Sequence, residues 1–167
     1  MQPWSQFYAT IGPASAALLG LLFVAVSINA SAALGPDEAA SRRLTEQAFQ
    51  NYLAVMMVAL LALFPAISTR TFGAVTLLCA AGWSVWVVVR FGQTVAQRLE
   101  WGFWLHALRR HGASLVGFTI LMVVALRMAL NWGADYSWLA ASMLVLLFSA
   151  TTVSWELLGR IASRKPR

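Results

Sequence analysis

Five runs of apolar residues, each about as long as a membrane-spanning helix, alternate along this chain with short polar or turn-rich segments. They cover about residues 8–32, 50–68, 72–91, 114–132 and 137–159. A hydrocarbon core about 30 Å thick is crossed by roughly 20 apolar residues in helical conformation. The pattern therefore predicts an all-α polytopic membrane bundle of five transmembrane helices, with residues 1–167 forming a single domain. Two connections are tight: Ser68-Thr69-Arg70-Thr71, following Pro65, and the turn-rich Asn131-Trp132-Gly133-Ala134-Asp135-Tyr136-Ser137. Short connections make the flanking helices antiparallel neighbours.

Two other connections carry helical patterns of their own. Gly35-Pro36-Asp37-Glu38 opens a stretch that brings Leu44, Phe49 and Leu53 into the second run. Proline suits the first helical turn and acids suit the positive end of the helix dipole, so the second helix is expected to protrude beyond the membrane. Residues 93–111 mix Leu99, Trp101, Phe103, Trp104 and Leu108 with Arg98, Arg109 and Arg110. This reads as an amphipathic stretch at the inner membrane surface.

Composition rules out the soluble alternative. Of 167 residues, 60% are hydrophobic and 11% charged, too few charges to cover the surface of a soluble domain. The net charge of +6 does not point to nucleic acid, because the basic residues lie between and after the apolar runs rather than in one stripe. With the N-terminus outside, ten Lys/Arg fall on the cytoplasmic side: Arg42, Arg43, Arg90, Arg98, Arg109, Arg110, Arg160, Arg164, Lys165 and Arg167. Only Arg70 falls in an outer loop, and Arg127 lies within the fourth run. The positive-inside rule then places the N-terminus outside and the C-terminus in the cytoplasm. Aromatic residues suit the same frame, with Trp4, Tyr8, Trp132, Tyr136 and Trp138 at the outer interface and Trp101, Trp104 and Trp155 at the inner one. Trp83 and Trp86 lie deeper in the third run.

Ala30-Ser31-Ala32 has the form of a signal-peptidase site, but residues 1–12 contain no Lys or Arg, so the first helix is expected to be retained. The sequon Asn29-Ala30-Ser31 would face the cytoplasm. Cys79 is the one cysteine, which excludes an intrachain disulfide.

Little in the sequence points to catalysis. His106 and His111, five apart, fall on different faces of a helix, and no metal, phosphate-binding or dinucleotide motif is present. No cofactor and no metal are expected, and the chain is not expected to be an enzyme.

Polar residues inside the runs are the sharper clues, because each costs energy in lipid. Arg127 lies one turn before Asn131, where it can snorkel, pair with Asp135 or contact an anion. Gly12, Ala16 and Gly20 form a small-residue stripe on the first helix, suited to self-association or to an intramolecular contact. Ser142, Ser149, Thr152 and Glu156 share one side of the fifth helix. They could line a water-filled path; alternatively the hydroxyls bond their own helix and Glu156 pairs with Arg160.

Trp4-Ser5-Gln6-Phe7-Tyr8, followed by Gly20-Leu21-Leu22-Phe23-Val24-Ala25-Val26-Ser27-Ile28-Asn29, resembles the first helix of small, uncharacterised bacterial multi-pass membrane proteins. The resemblance covers roughly the first 30 residues. It implies a bacterial inner-membrane setting and carries over no functional residues. The expected role is a non-catalytic accessory or scaffold subunit of a membrane complex. The alternative is a homo-oligomeric channel or transporter whose fifth helix lines the path. Expected partners are the lipid bilayer and either further copies of the chain or other membrane subunits.

Overall fold

An apolar run in a membrane has no water to bond its backbone, so it must satisfy its N–H and C=O groups within itself, as a helix does. In the computed structural model the runs form five α-helices: α1 (Ser5–Ile28), α2 (Ala39–Leu63), α3 (Thr69–Ala96), α4 (Trp101–Ala129) and α5 (Tyr136–Ala162). The structure describes residues 4–30, 39–65, 67–96, 101–133 and 135–163, with no strand among them. Four helical segments are long and apolar enough to cross a membrane: α1, α2, Gly112–Ala129 of α4, and α5. The stretch of α3 between Arg70 and Arg90 carries no charge. It runs antiparallel beside α4, from Gly73 against Met128 to Trp83 against Phe118, and so shares α4's depth.

The helices are longer than the apolar runs. At 24 to 29 residues they measure about 36–43 Å, against a hydrocarbon core of about 30 Å. Most of the excess is at the end away from the two tight turns. α2 is helical from Ala39, eleven residues before the apolar run begins at 50, as the pattern through Leu44 predicts. The Gly35–Glu38 opening lies outside the described residues. The described backbone of 93–111 belongs to the two long helices: α3 continues to Ala96, and the backbone from Trp101 is continuous with α4. The side chains of 101–111, the two histidines included, lie outside the described ones, as does that of Trp86.

Local chemistry closes the tight turns. α2 stops at Leu63, short of the expected 68; Phe64 N–H turns back to the Leu61 carbonyl at 3.2 Å, and Pro65 has no N–H to continue the ladder. Ser68 caps α3, its hydroxyl accepting the Thr71 N–H at 3.1 Å. At the other turn Asn131 adopts φ 59°, the left-handed conformation that ends many helices. Trp132 N–H then reaches the Arg127 carbonyl at 2.9 Å and Asn131 N–H the Met128 carbonyl at 3.1 Å. Together these two bonds make a Schellman cap.

α5 is the central helix. α2 and α4 both pack along it, α1 packs on α2, and α3 packs on α4, while α2 and α3 touch much less despite their short connection. Between membrane helices close packing depends on small residues. A Cβ at Gly12 would meet Ala59 Cβ at 3.1 Å; one at Gly117 would meet Leu146 Cδ2 at 2.8 Å. The tightest approach is at Gly73, where a Cβ would lie 2.5 Å from the backbone nitrogen of Ala129.

The core has two parts. Near the tight turns all five helices contribute, with Tyr8, Val55, Phe72, Phe118, Leu121 and Leu146 among its buried members. Tyr8 is buried in this core, so its ring faces other helices and not lipid. The second part, farther along, joins Leu22, Val26, Leu44, Ala48, Tyr52, Ala150, Val153 and Leu157 from α1, α2 and α5. Trp132, Trp138 and Trp155 remain exposed, and Trp83 packs on Phe118 with ring centroids 6.2 Å apart.

Gly73→Ala should destabilise the protein by about 1–3 kcal/mol, since α4's backbone cannot give way as a flexible side chain would. Gly20→Ala, with nothing within 4 Å of the new methyl, should be close to neutral. Reversible unfolding in mixed detergent micelles measures both, and equal effects would refute the packing.

Candidate functional site

Among the described residues, a junction of Gln47 and Asn51 on α2, Ser114 on α4 and Ser149 on α5 gathers four buried polar side chains from three helices. Helical spacing puts Gln47 and Asn51 one turn apart, on the face of α2 that also buries Leu44, Ala48 and Val55. Two amides on an otherwise apolar stripe must find partners in neighbouring helices. They find them in two serines, whose short side chains leave room for the amides to reach across.

Asn51 Nδ2 donates to Ser114 Oγ at 2.7 Å and to Ser149 Oγ at 3.2 Å. Gln47 Nε2 donates to Ser114 Oγ at 3.1 Å, and the two serine oxygens are 2.8 Å apart. A hydroxyl oxygen has two acceptor lone pairs. Those of Ser114 are filled by Gln47 and Asn51, so the Ser114 proton is the one shared with Ser149. Ser149 accepts it alongside the second Asn51 N–H. The bonds therefore run in one direction, from α2 through α4 to α5.

Further polar contacts stitch the same helices. Ser15 Oγ on α1 donates to the Tyr52 carbonyl at 2.8 Å, and Tyr52 OH donates to Thr151 Oγ1 on α5 at 3.3 Å. Ser84 Oγ on α3 meets Met122 Sδ on α4 at 3.2 Å. At the α4–α5 turn, Arg127 Nη1 lies 2.9 Å from Asp135 Oδ2, with the side chains 48% and 36% exposed. At that exposure the pair is worth no more than about 1 kcal/mol. Among the described residues no group of three or more His, Cys, Asp or Glu is placed to hold a metal ion.

The four α5 residues singled out by spacing do not share one surface. Ser142 is buried and donates to the Leu139 carbonyl at 2.7 Å; Ser149 is buried in the junction. Thr152 is exposed and donates to the Ser149 carbonyl at 2.9 Å, while Glu156 pairs with Arg160 at 2.9 Å. The α1 stripe divides in the same way. Gly12 packs on Ala59, whereas Ala16 and Gly20 are exposed, so within one chain the stripe's intramolecular contact is Gly12 alone. Gln47, Asn51 and Ser114 are the residues that reading the spans separately missed. Gln47 precedes the second apolar run and Ser114 sits at the margin of the fourth, so neither stands out until α2 and α4 are placed together.

In a double-mutant cycle, Asn51→Ala and Ser149→Ala should each cost about 1–3 kcal/mol. Their coupling should be about 0.6–1.7 kcal/mol, the range of interhelical hydrogen bonds in membranes. Strict additivity would show that the junction is contact without energetic linkage.

Comparison with known proteins finds no family model that matches this chain, and no curated protein or solved structure similar to it.

Proposed function

We propose that this chain is a non-catalytic accessory or scaffold subunit of a membrane complex, seated in a bacterial inner membrane. The observation that carries this reading is where the polar groups go. The junction amides and hydroxyls bond one another, Ser142 and Thr152 bond their own helix, and Arg127 and Glu156 have ion partners. What the helices turn outward is apolar: Leu21, Phe23, Val24 and Ile28 on α1, and Leu78, Val85 and Val89 on α3. α1 is held by one face against α2, with only slight contact to α5, and keeps a broad face for lipid or for a partner's helix.

The ten-to-one Lys/Arg bias supports an orientation with the start of α1 and the Trp132–Trp138 turn outside. It places residues 92–112 and the end of α5 in the cytoplasm. Reporters active only outside the cell should work when fused after Asp135 and fail when fused after Arg167. The reverse pattern would overturn the orientation.

One observation favours the second reading, a homo-oligomeric channel or transporter. Thr152 lies on the outer surface of the chain and Glu156 is only half-buried, so a route along this part of α5 would run between copies. Extraction in native lipid followed by native mass spectrometry separates the two. The accessory reading expects the chain to be recovered with other membrane subunits. A closed ring of identical chains that conducts ions on reconstitution would replace it with the channel.

A further inference from the structure

Among the described residues, three buried hydroxyls bond no protein group: Tyr8 on α1, Thr76 on α3 and Ser154 on α5. Thr76 and Ser154 can each turn back to a carbonyl of their own preceding turn, as Thr10, Thr119 and Thr151 do. Tyr8 cannot, because its ring holds the hydroxyl beyond reach of its own helix. At 1% exposure it does not meet bulk solvent either, and a buried hydroxyl left bare is costly. Tyr8 lies three residues into α1, about 5 Å from its start. Helical side chains slope toward the N-terminus, so the phenol is carried toward that end of the helix. Phe7 meets the Tyr8 ring edge-on with centroids 5.4 Å apart, and Trp4 meets Phe7 at 6.2 Å. Tyr136, the first residue of α5, packs against the same core and lies within electrostatic range of the Tyr8 hydroxyl. Asp135 places no side-chain cap on that first turn, so backbone N–H donors are present at the same end.

We infer that Tyr8 and Tyr136 hold one water molecule between α1 and α5, and that this water is a structural part of the bundle. Size decides the ligand, since nothing larger reaches so enclosed a hydroxyl without parting the helices. Chemistry agrees with size. A phenol both donates and accepts, so a water between two phenols can bond each of them. A buried water takes two to four polar partners, which the two phenols supply with or without an N–H of the uncapped turn. Such a bridge is nearly as good as a direct hydrogen bond. The bridge also gives α1 something its packing does not. α1 rests on α2, to which Ser15 bonds it through the Tyr52 carbonyl, and it touches α5 only slightly. The water is a bonded link from α1 to the central helix. The inference does not rest on the accessory reading; it applies equally to a chain within an oligomer.

Radiolytic hydroxyl-radical labelling of the full chain in lipid nanodiscs, read by mass spectrometry, tests this, because radicals made from a bound water mark the side chain beside it. Tyr52 is the internal control: it is 2% exposed, and its hydroxyl is bonded to Thr151. Tyr8 should be labelled at exposures that leave Tyr52 unmodified, with the added oxygen drawn from ¹⁸O-water. Tyr8→Phe, which keeps the ring, should lose the label at this position and lower the unfolding temperature in detergent. Tyr8 as unreactive as Tyr52 would overturn the inference. In that case a raised unfolding temperature for Tyr8→Phe would mean that the phenol is bare, and a lowered one that it bonds Tyr136 directly. Labelling of Ile11 to the same extent as Tyr8 would overturn it too, as opening of the first turns of α1.

Discussion

A polar group carried into hydrocarbon has to be bonded by protein, because no water competes for it and the cost of leaving it bare is several kcal/mol. The arrangement of α2, α4 and α5 follows from that constraint. Gln47 and Asn51 sit on the buried face of α2, and the two serines that answer them come from two different helices. The junction thus dictates more than a contact. It sets the depth of α4 against α2 and the rotation of α5, since a shift of one residue in either helix would turn its serine away by about 100°. Apolar packing tolerates such slips more readily, because one methyl group can replace another.

Attraction between the helices is short-ranged and needs close approach. Glycine supplies it at three separate interfaces, with Gly12 at α1–α2, Gly73 at α3–α4 and Gly117 at α4–α5. In each pair the second helix sits where a side chain would otherwise be. The α2–α5 interface is different. It carries Tyr52, whose ring fills the space and whose hydroxyl reaches Thr151, so there bulk and a hydrogen bond replace closeness. Small residues and polar residues are alternative ways of joining helices, and this bundle uses both.

Much of the fold was legible in the chain. Run lengths and the spacing of turn residues are enough to place five antiparallel helices, because the bilayer makes helix the only open choice for an apolar run. Helix ends were less legible. α2 and α4 extend well past their apolar runs because helical residues outside the hydrocarbon keep their backbone bonds whatever their hydropathy. The junction was legible only in part. Ser149 stood out by its spacing with Ser142 and Glu156, but that spacing suggested a water-facing stripe, and spacing on one helix does not say what faces it. Ser142 and Ser149 face protein, and Thr152 faces outward. Gln47 and Asn51, at four-residue spacing on the same face as Leu44 and Val55, were the available signal. An amide pair inside an apolar helical stripe marks a polar contact with another helix more reliably than scattered hydroxyls, which can bond their own preceding turn.

The central position of α5 constrains function as well as fold. α2 and α4 pack along two of its sides, and its buried positions from Leu139 to Leu157 are filled by those contacts. A single chain therefore commits this helix to cohesion, and its serines to bonds that cohesion needs. Among the described residues, the surfaces the bundle does not use include the outer faces of α1 and α3 and the exposed side of α5 that carries Thr152 and Trp155. Those surfaces are reached from the plane of the membrane and not from either side of it. They are open to lipid or to another helix lying in the same plane. The polar bonds that fix α4 and α5 against α2 thus leave apolar helix faces outermost on α1 and α3, because the groups that would need water there are turned inward instead.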